Sequence, residues 1–114
     1  MANAFLSETD TGIGTSPATV FTCPSATETT IIGLTVANIE SSQVLVDVQL
    51  DASGRTSGAE DSVYLVKNAP VPAGSSLVVV GGNQKVVMEP GDTIVVTSDT
   101  AASIDVVLSH LDIT

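Results

Sequence analysis

The sequence predicts an all-β protein with a single β-sandwich domain of seven to eight short strands and an N-terminal arm. From Thr30 to Ile113, short valine-rich runs alternate with turns that contain glycine or proline. β-branched side chains are restricted in helices and suit a pleated surface, so this composition favours sheet over helix. No stretch shows a 3.6-residue repeat. The regular spacing of the runs is typical of an immunoglobulin-like or jelly-roll sandwich, and the pattern does not choose between the two.

The length of 114 residues fits one domain, which we divide into an arm over residues 1–17 and a sandwich over residues 18–114. The arm is small and polar, and Phe5, Leu6 and Ile13 are its apolar anchors. Such a segment has little to bury in a core. We therefore interpret it as an arm or an extended edge segment; as an arm it would be mobile in an isolated monomer and could lie along a neighbour in an assembly.

The first strands follow from period-two patterns. A strand over 18–23 ends at Pro24, and a strand over 29–37 places Ile32, Leu34 and Val36 on one face. The clearest run, residues 43–51, alternates between apolar and polar positions. We expect one face of this run in the core and the other in water: Val44, Val46, Val48 and Leu50 inside, and Asp47, Gln49 and Asp51 outside.

The second half continues after a polar loop over 52–61. A strand over 62–67 leads to a segment whose Pro70 and Pro72 cannot donate to a ladder and so mark a connection or an edge. Two apolar runs flank a Gly-Gly-Asn turn, which predicts a hairpin. A Pro-Gly turn then introduces another strand. The remaining predicted strands are 77–80, 85–88, 93–97 and 103–113.

The closing strand carries apolar residues on both faces. Ile104, Val106 and Leu108 have one parity, whereas Val107, Leu111 and Ile113 have the other. Either a β-bulge turns both sets inward or a second chain covers one face. We expect a homo-oligomer, with a trimer favoured, whose interface includes Phe5, Leu6, Ile13, Val107, Leu111 and Ile113.

Charge and composition exclude several classes of function. Thirteen acidic and three basic residues give a net charge of −10, which repels nucleic acid. No window approaches the roughly 18 to 20 apolar residues of a membrane span. Only 3% of the residues are aromatic, which weakens a carbohydrate-binding hypothesis. We expect no nucleic acid and no membrane among the partners.

The residue types that support catalysis or metal binding are sparse. His110 and Asp112 share a strand face, and we interpret them as a solvent-facing or interface pair. Cys23 has no second cysteine, so we expect a small buried hydrophobe, and Tyr64 is expected in the core. The acidic residues Asp51, Glu60 and Asp61 match no fixed calcium loop. The sequence therefore predicts no enzyme, no cofactor and no metal site.

Two long stretches carry a resemblance to a known group. They are "TTIIGLTVANIESSQVLVDVQL" and "VYLVKNAPVPAGSSLVVVGGNQKVVMEPGDTIVVTSDTAASIDVVLSHLDI", which together span roughly residues 27 to 113. In this order they resemble a group of small virion proteins of tailed bacteriophages. The most specific part is the succession "APVPAGSS", "GGNQK" and "PGDTI".

The resemblance implies a structural component of the virion, made in the host cytoplasm and incorporated into the particle. A capsid decoration (cement) protein that binds and stabilises the assembled head is the first expectation. Its partners would be the major capsid protein or other virion subunits. A neck, tail or fibre-associated subunit is the alternative, and a host-surface carbohydrate-binding module is a further one. The group offers no catalytic residues to transfer to this chain.

Overall fold

The computed structural model describes residues 3–55 and 61–114, and these ranges form nine β-strands. Their bounds are β1 Asn3–Ile13, β2 Ala18–Thr22, β3 Glu28–Asn38, β4 Val44–Asp51, β5 Val63–Val71, β6 Ser76–Val80, β7 Val86–Met88, β8 Thr93–Ser98 and β9 Ile104–Ile113. The described residues include no helix long and apolar enough to span a membrane. The predicted all-β sandwich is confirmed, with more strands than expected.

The strands form two antiparallel sheets. Sheet I has the order β1-β9-β3-β6, with β7 also paired to β3, and sheet II has the order β2-β8-β4-β5. The inner faces meet in one core, which includes Ile31, Leu34, Val36, Val46, Val48, Ile94, Val96 and Leu108. Each sheet therefore has one outer face that no other part of the described chain packs against as a layer.

The register predicted for β4 is confirmed. Val44, Val46 and Val48 are fully buried, and Asp47 lies on the outer face of sheet II. The Asp47 carboxylate accepts hydrogen bonds from the Asn68 backbone N–H (2.7 Å) and from Lys67 Nζ (3.2 Å). This register could be predicted because charged residues occupy alternate positions, and the face that carries them cannot be the one that packs in the core.

Of the two predicted forms of the N-terminal segment, an arm or an extended edge segment, the structure shows an edge strand. Residues Asn3 to Asp10 pair with β9 without a register shift, and Ile13 lies in the core with 3% of its surface exposed. In this pairing, β1 forms backbone hydrogen bonds with the N–H and C=O groups on one side of β9. With a free arm, those groups would bond to water instead. The segment therefore belongs to the sandwich, and Ile13 is not available as an interface residue.

The predicted hairpin of the two runs around Gly81 is wrong. Both β6 and β7 pair with β3 instead of with each other: Val80 lies opposite Leu34, and Val86 lies opposite Ile31. The turn between them bridges a break in one edge of sheet I. Short apolar runs on either side of a glycine turn fit both arrangements, so local sequence could not separate them.

The face assignment of the third predicted element needs one correction. A register shift between Ile31 and Gly33 changes the alternation along β3. As a result Ile31, with Leu34 and Val36, is fully buried in the core, whereas Ile32 is only half-buried. A β-bulge inserts one residue and so moves every preceding side chain to the other face.

The proline-containing segment is part of an edge strand, as one of the two predicted alternatives required. β5 continues through Pro70 to Val71 and lies at the end of sheet II. Tyr64 on this strand is 50% exposed, and Lys67 Nζ lies 4.7 Å from the centre of its ring. The expected core position of Tyr64 is therefore wrong.

Candidate interaction surface

The outer face of sheet I carries the largest set of exposed apolar side chains. β9 alternates strictly along its length, with no register shift of its own, so the bulge that would have turned both of its apolar sets inward is absent. Its even-numbered residues face the core and its odd-numbered residues face outward. The exposed members of this face are Phe5 (76%), Val78 (62%), Val87 (61%) and Val107 (42%), with Ile32, Leu111 and Ile113 half-buried beside them.

Paired residues on neighbouring strands of this outer face form two rows that run across sheet I. In one row, Phe5 lies opposite Leu111, Leu111 opposite Thr30 and Thr30 opposite Val87. In the other, the aligned residues are Thr9, Val107, Thr35 and Val78. Side chains directly opposite on antiparallel strands lie on the same face about 4.5 to 5.5 Å apart, so each row is continuous. We refer to the two rows as the outer patch.

The outer patch is uncharged although the chain carries a net charge of −10. Its eight row positions are Phe, Leu, Thr and Val, and the residues between the rows on β1 and β9 are Ser7 and Ser109. The carboxylates of this face, Glu28 and Asp105, lie toward the ends of their strands. A contiguous exposed apolar surface without charges is typical of a protein–protein contact.

Sheet II shows the opposite character. Its outer face carries Asp47 and Asp51 on β4, and Asp99 follows β8 directly. The pKa of Asp51 is lowered, first because the Ser53 hydroxyl donates a hydrogen bond to its carboxylate and then because Ser62 does so. The two broad faces of the sandwich therefore differ: the outer patch at the centre of sheet I is uncharged, whereas carboxylates lie along β4 of sheet II.

The predicted interface residues fall into three environments. Phe5, Val107, Leu111 and Ile113 share the outer face of sheet I, Leu6 has the opposite parity on the free edge of β1, and Ile13 is in the core. Sequence reasoning missed Val78 and Val87. The run Leu77–Val80 is apolar at every position, and that continuous pattern was the available sign that both of its faces are apolar.

His110 is buried, which corrects its interpretation as a solvent-facing or interface residue. Its side chain is fully covered, and its ring stacks on Phe21 with centroids 4.2 Å apart. Nδ1 lies 2.8 Å from Asp112 Oδ1, and Nε2 lies 3.0 Å from Glu8 Oε2. Each ring nitrogen thus lies within hydrogen-bond distance of one carboxylate, and the three residues tie β1 to β9.

The same network reaches the single cysteine. Thr29 Oγ1 donates to Asp112 Oδ1 (2.8 Å) and lies 3.4 Å from Cys23 Sγ. Burial raises the pKa of the Cys23 thiol, and only 2% of the residue is exposed. A thiol in such surroundings is a poor nucleophile, since the thiolate is the reactive form. Cys23 thus has the expected character of a small buried hydrophobe.

Arg55 closes the end of the sandwich. Its guanidinium donates to both carboxylate oxygens of Asp92, which is fully buried, and lies 3.2 Å from Glu89 Oε2. At the same place the backbones of Gly54 and Gly91 touch: a Cβ on Gly91 would lie 2.5 Å from the Gly54 carbonyl oxygen. The contact joins the loop after β4 to the Pro-Gly turn before β8.

An Arg55→Met variant is expected to melt at a clearly lower temperature than the wild type. The methionine keeps the apolar stem but removes the guanidinium from the buried Asp92 carboxylate, which within the described residues keeps the hydrogen bond from the Glu89 backbone N–H (3.1 Å). Lys67→Met is the matched control, because it removes an exposed ion pair of small value. Thermal denaturation followed by circular dichroism measures both. Equal melting temperatures for the two variants would contradict the assigned role of Arg55.

The acidic residues considered for calcium do not meet in the described part of the chain. Glu60 lies outside the described residues, and Asp51 is engaged by Ser53 and Ser62. Across 3–55 and 61–114, no group of three His, Cys, Asp or Glu side chains is arranged to hold a metal ion. The carboxylates of Asp112 and Glu8 lie at opposite ring nitrogens of His110, so the three side chains do not converge on one point where they could chelate a metal ion.

Comparison with known proteins adds one structural relationship. No family model matches the sequence, and no curated protein matches it. A solved structure described as "Bacillus endospore appendages form a novel family of disulfide-linked pili" is similar in fold, with a TM-score of 0.56 and 14% identity. The alignment covers 99% of this chain and 87% of that one. At this identity the similarity shows a shared sandwich fold.

Proposed function

We propose that this protein is a structural subunit that works by docking onto other proteins of a large assembly, and that it has no catalytic role. The outer patch is the observation that carries the proposal. It is an uncharged surface, rich in exposed apolar side chains, on a strongly acidic molecule. The molecule has one face suited to contact and one suited to water.

The specific assembly that we propose is the head of a tailed bacteriophage, with the chain as a decoration (cement) protein. The resemblance of residues 27 to 113 to small phage virion proteins supports this assignment. With the outer patch on the shell, the acidic face of sheet II points to solvent. A protein that binds the assembled lattice better than its separated subunits stabilises the lattice by mass action.

The modest size of the outer patch is consistent with binding to a repeating lattice. Burying one large apolar side chain contributes about 1.5 to 3 kcal/mol, and association costs at least about 4 kcal/mol of translational and rotational freedom. One such patch gives weak binding, whereas linked copies on a lattice bind with a high effective concentration. The trimer at a local three-fold position remains a prediction, and on this view it forms on the shell.

A subunit of a filament is the second candidate, and the fold similarity to the spore-appendage structure favours it. That structure is described as a disulfide-linked pilus. In this chain the one cysteine is buried and its thiol is bonded within the sandwich. Cys23 could not join folded copies covalently, so a filament would depend on non-covalent contacts.

Binding to phage shells tests the proposal. Purified protein is mixed with empty shells assembled from the major capsid protein of a parent bacteriophage, and bound protein is measured by co-sedimentation. We expect wild-type protein to bind, and the double variant Val87→Asp/Val107→Asp to lose at least 10-fold in affinity with its melting temperature unchanged. Tyr64→Asp, at a similarly exposed position of sheet II, is the matched control and should bind as wild type.

Two results would contradict the proposal. Equal binding by the double variant and the control would exclude the outer patch as the docking surface. Wild-type protein that does not bind to shells and forms filaments in negative-stain electron microscopy would instead support the second candidate.

A further inference from the structure

The two sheets end in four edges, and three of them are protected against pairing with another strand. An unprotected edge presents free N–H and C=O groups to any suitable strand, and proteins blunt such edges with proline, bulges, lysine or short strands. β5 contains Pro70 and two register shifts. β2 has five residues and a register shift, and the β6/β7 edge is interrupted by a turn that ends at Lys85.

β1 lacks every one of these protections between Asn3 and Asp10. The segment contains no proline and no basic residue, and it pairs with β9 residue for residue. Its only register shift comes later, between Asp10 and Ile13. β1 lies at the end of sheet I, so its other edge has no strand neighbour in the described chain. At about 3.4 Å per residue, this open edge is about 27 Å long.

The two most prominent apolar side chains of β1 point to opposite faces of the sheet. Phe5 is 76% exposed on the outer side, and Leu6, opposite His110, is 47% exposed on the inner side. A protein docked on one face could cover one of them. A strand added along the free edge would lie against both, because its own side chains project to both faces.

We propose that two copies of this chain pair through β1, antiparallel and about a two-fold axis, to join their first sheets into one continuous sheet. The strand is self-complementary in this direction. Its apolar residues, Ala4, Phe5 and Leu6, come first, and its carboxylates, Glu8 and Asp10, come after them. Antiparallel pairing therefore sets the acidic end of each strand beside the uncharged end of the other.

Side-chain parity, charge and the length of the paired edge select the register, since a centre at Phe5 would pair only residues 3–7 whereas a centre at Leu6 pairs residues 3–9. Paired residues must have the same parity for the faces of the two sheets to continue into each other. A centre at Glu8 would oppose two carboxylates, and a centre at Ser7 would set Glu8 against Leu6. A centre at Leu6 places Leu6 against its own copy, Phe5 against Ser7 and Ala4 against Glu8. This register also leaves Glu8 free to keep its bond to His110.

The partner is a second copy through the same edge, since the other edges of the molecule are blunted. The contact runs along the free edge of β1 and shares only Phe5 and Thr9 with the outer patch, so it does not depend on the virion role. It gives a two-fold contact in solution, whereas the proposed trimer forms on the shell.

The test measures solution mass and site-specific crosslinking. Light scattering coupled to size exclusion should give twice the chain mass of 11.5 kDa for the wild type. Leu6→Lys should give the chain mass itself, with an unchanged far-ultraviolet spectrum, because lysine at an exposed edge position opposes pairing without disturbing the core. Val87→Lys is the matched control, at a comparably exposed position on the outer patch, and should remain dimeric.

Crosslinking tests the register. Directly opposed residues bring their Cβ atoms close enough for a disulfide after small adjustment. Under mild oxidation, Leu6→Cys should give a covalent dimer in high yield, and Ala4→Cys should give little, because Ala4 would oppose Glu8. Cys23 is buried and should not compete. A monomeric wild type, a dimer insensitive to Leu6→Lys, or equal crosslinking at positions 4 and 6 would overturn the proposal.

Discussion

A Val46→Asp variant is expected to be unfolded under conditions in which the wild type is native. Val46 is fully buried in the core between the sheets, opposite Ala69 on one side and Ser98 on the other. An unpaired carboxylate at this position costs several kcal/mol, and the whole domain has a stability of roughly 6 to 15 kcal/mol. Circular dichroism should show no cooperative thermal transition, and the amide proton NMR spectrum should lose its dispersion.

The neighbouring position supplies the control. Asp47→Ala removes the bonds to Lys67 Nζ and to the Asn68 N–H on the solvent side of the same strand. Its melting temperature should fall only slightly, since the groups that lose a partner can bond to water. If both variants melted alike, the inward direction of Val46 would be incorrect.

Removal of residues 1–13 should also abolish the native fold. The deletion takes away nine residue pairs with β9 and the core side chain of Ile13. It also removes Glu8 from the buried ring of His110. β9 would become an edge strand with its inner face open at Val106 and Leu108. The expected result is an aggregating or molten chain, detected as loss of a sharp unfolding transition in calorimetry.

A point variant separates the contribution of the core from that of the strand pairing. Ile13→Ala should remain folded and lose about 2 to 5 kcal/mol in urea denaturation, as large-to-small core substitutions do. A truncated chain that unfolds with the wild-type midpoint would show that the segment is a dispensable arm after all.

Period-two patterning predicted the strands whose two faces differ in chemistry. β4 is the clearest example, because its carboxylates and valines cannot exchange faces. For β1 the sequence left an arm and an extended edge segment open, because its residues are small and polar and an edge strand has one neighbour only. The residues of β3 that pair with β6 and β7 lie about 40 to 60 positions earlier in the chain, and no local sequence pattern indicates a pairing at such a distance.

From the sequence, residues of the outer patch could be predicted only where the alternation within a single strand was enough to assign a side chain to one face. The spacing of Val107, Leu111 and Ile113 gave the outward direction as one of two alternatives, and the structure shows that direction and places Phe5 in the same row as Leu111. Val78 and Val87 join them through pairing with β3, which sequence did not reveal. His110 was misassigned because a buried histidine is recognised by its partners, and Glu8 lies 102 positions away in the chain.

The break between β6 and β7 has a consequence for how this protein could diversify. Each of the two strands is held in register by β3, and neither is paired with the other, so strand pairing does not fix the length of the turn over residues 81–85. Four of these five residues are exposed. The entropic cost of closing a surface loop rises only slowly as the loop is lengthened. A peptide inserted after Gly82 would project from the rim of the sandwich while the strands on either side kept their places. The fold therefore contains a natural position for displaying foreign sequence, at which new recognition could be acquired without redesign of the core.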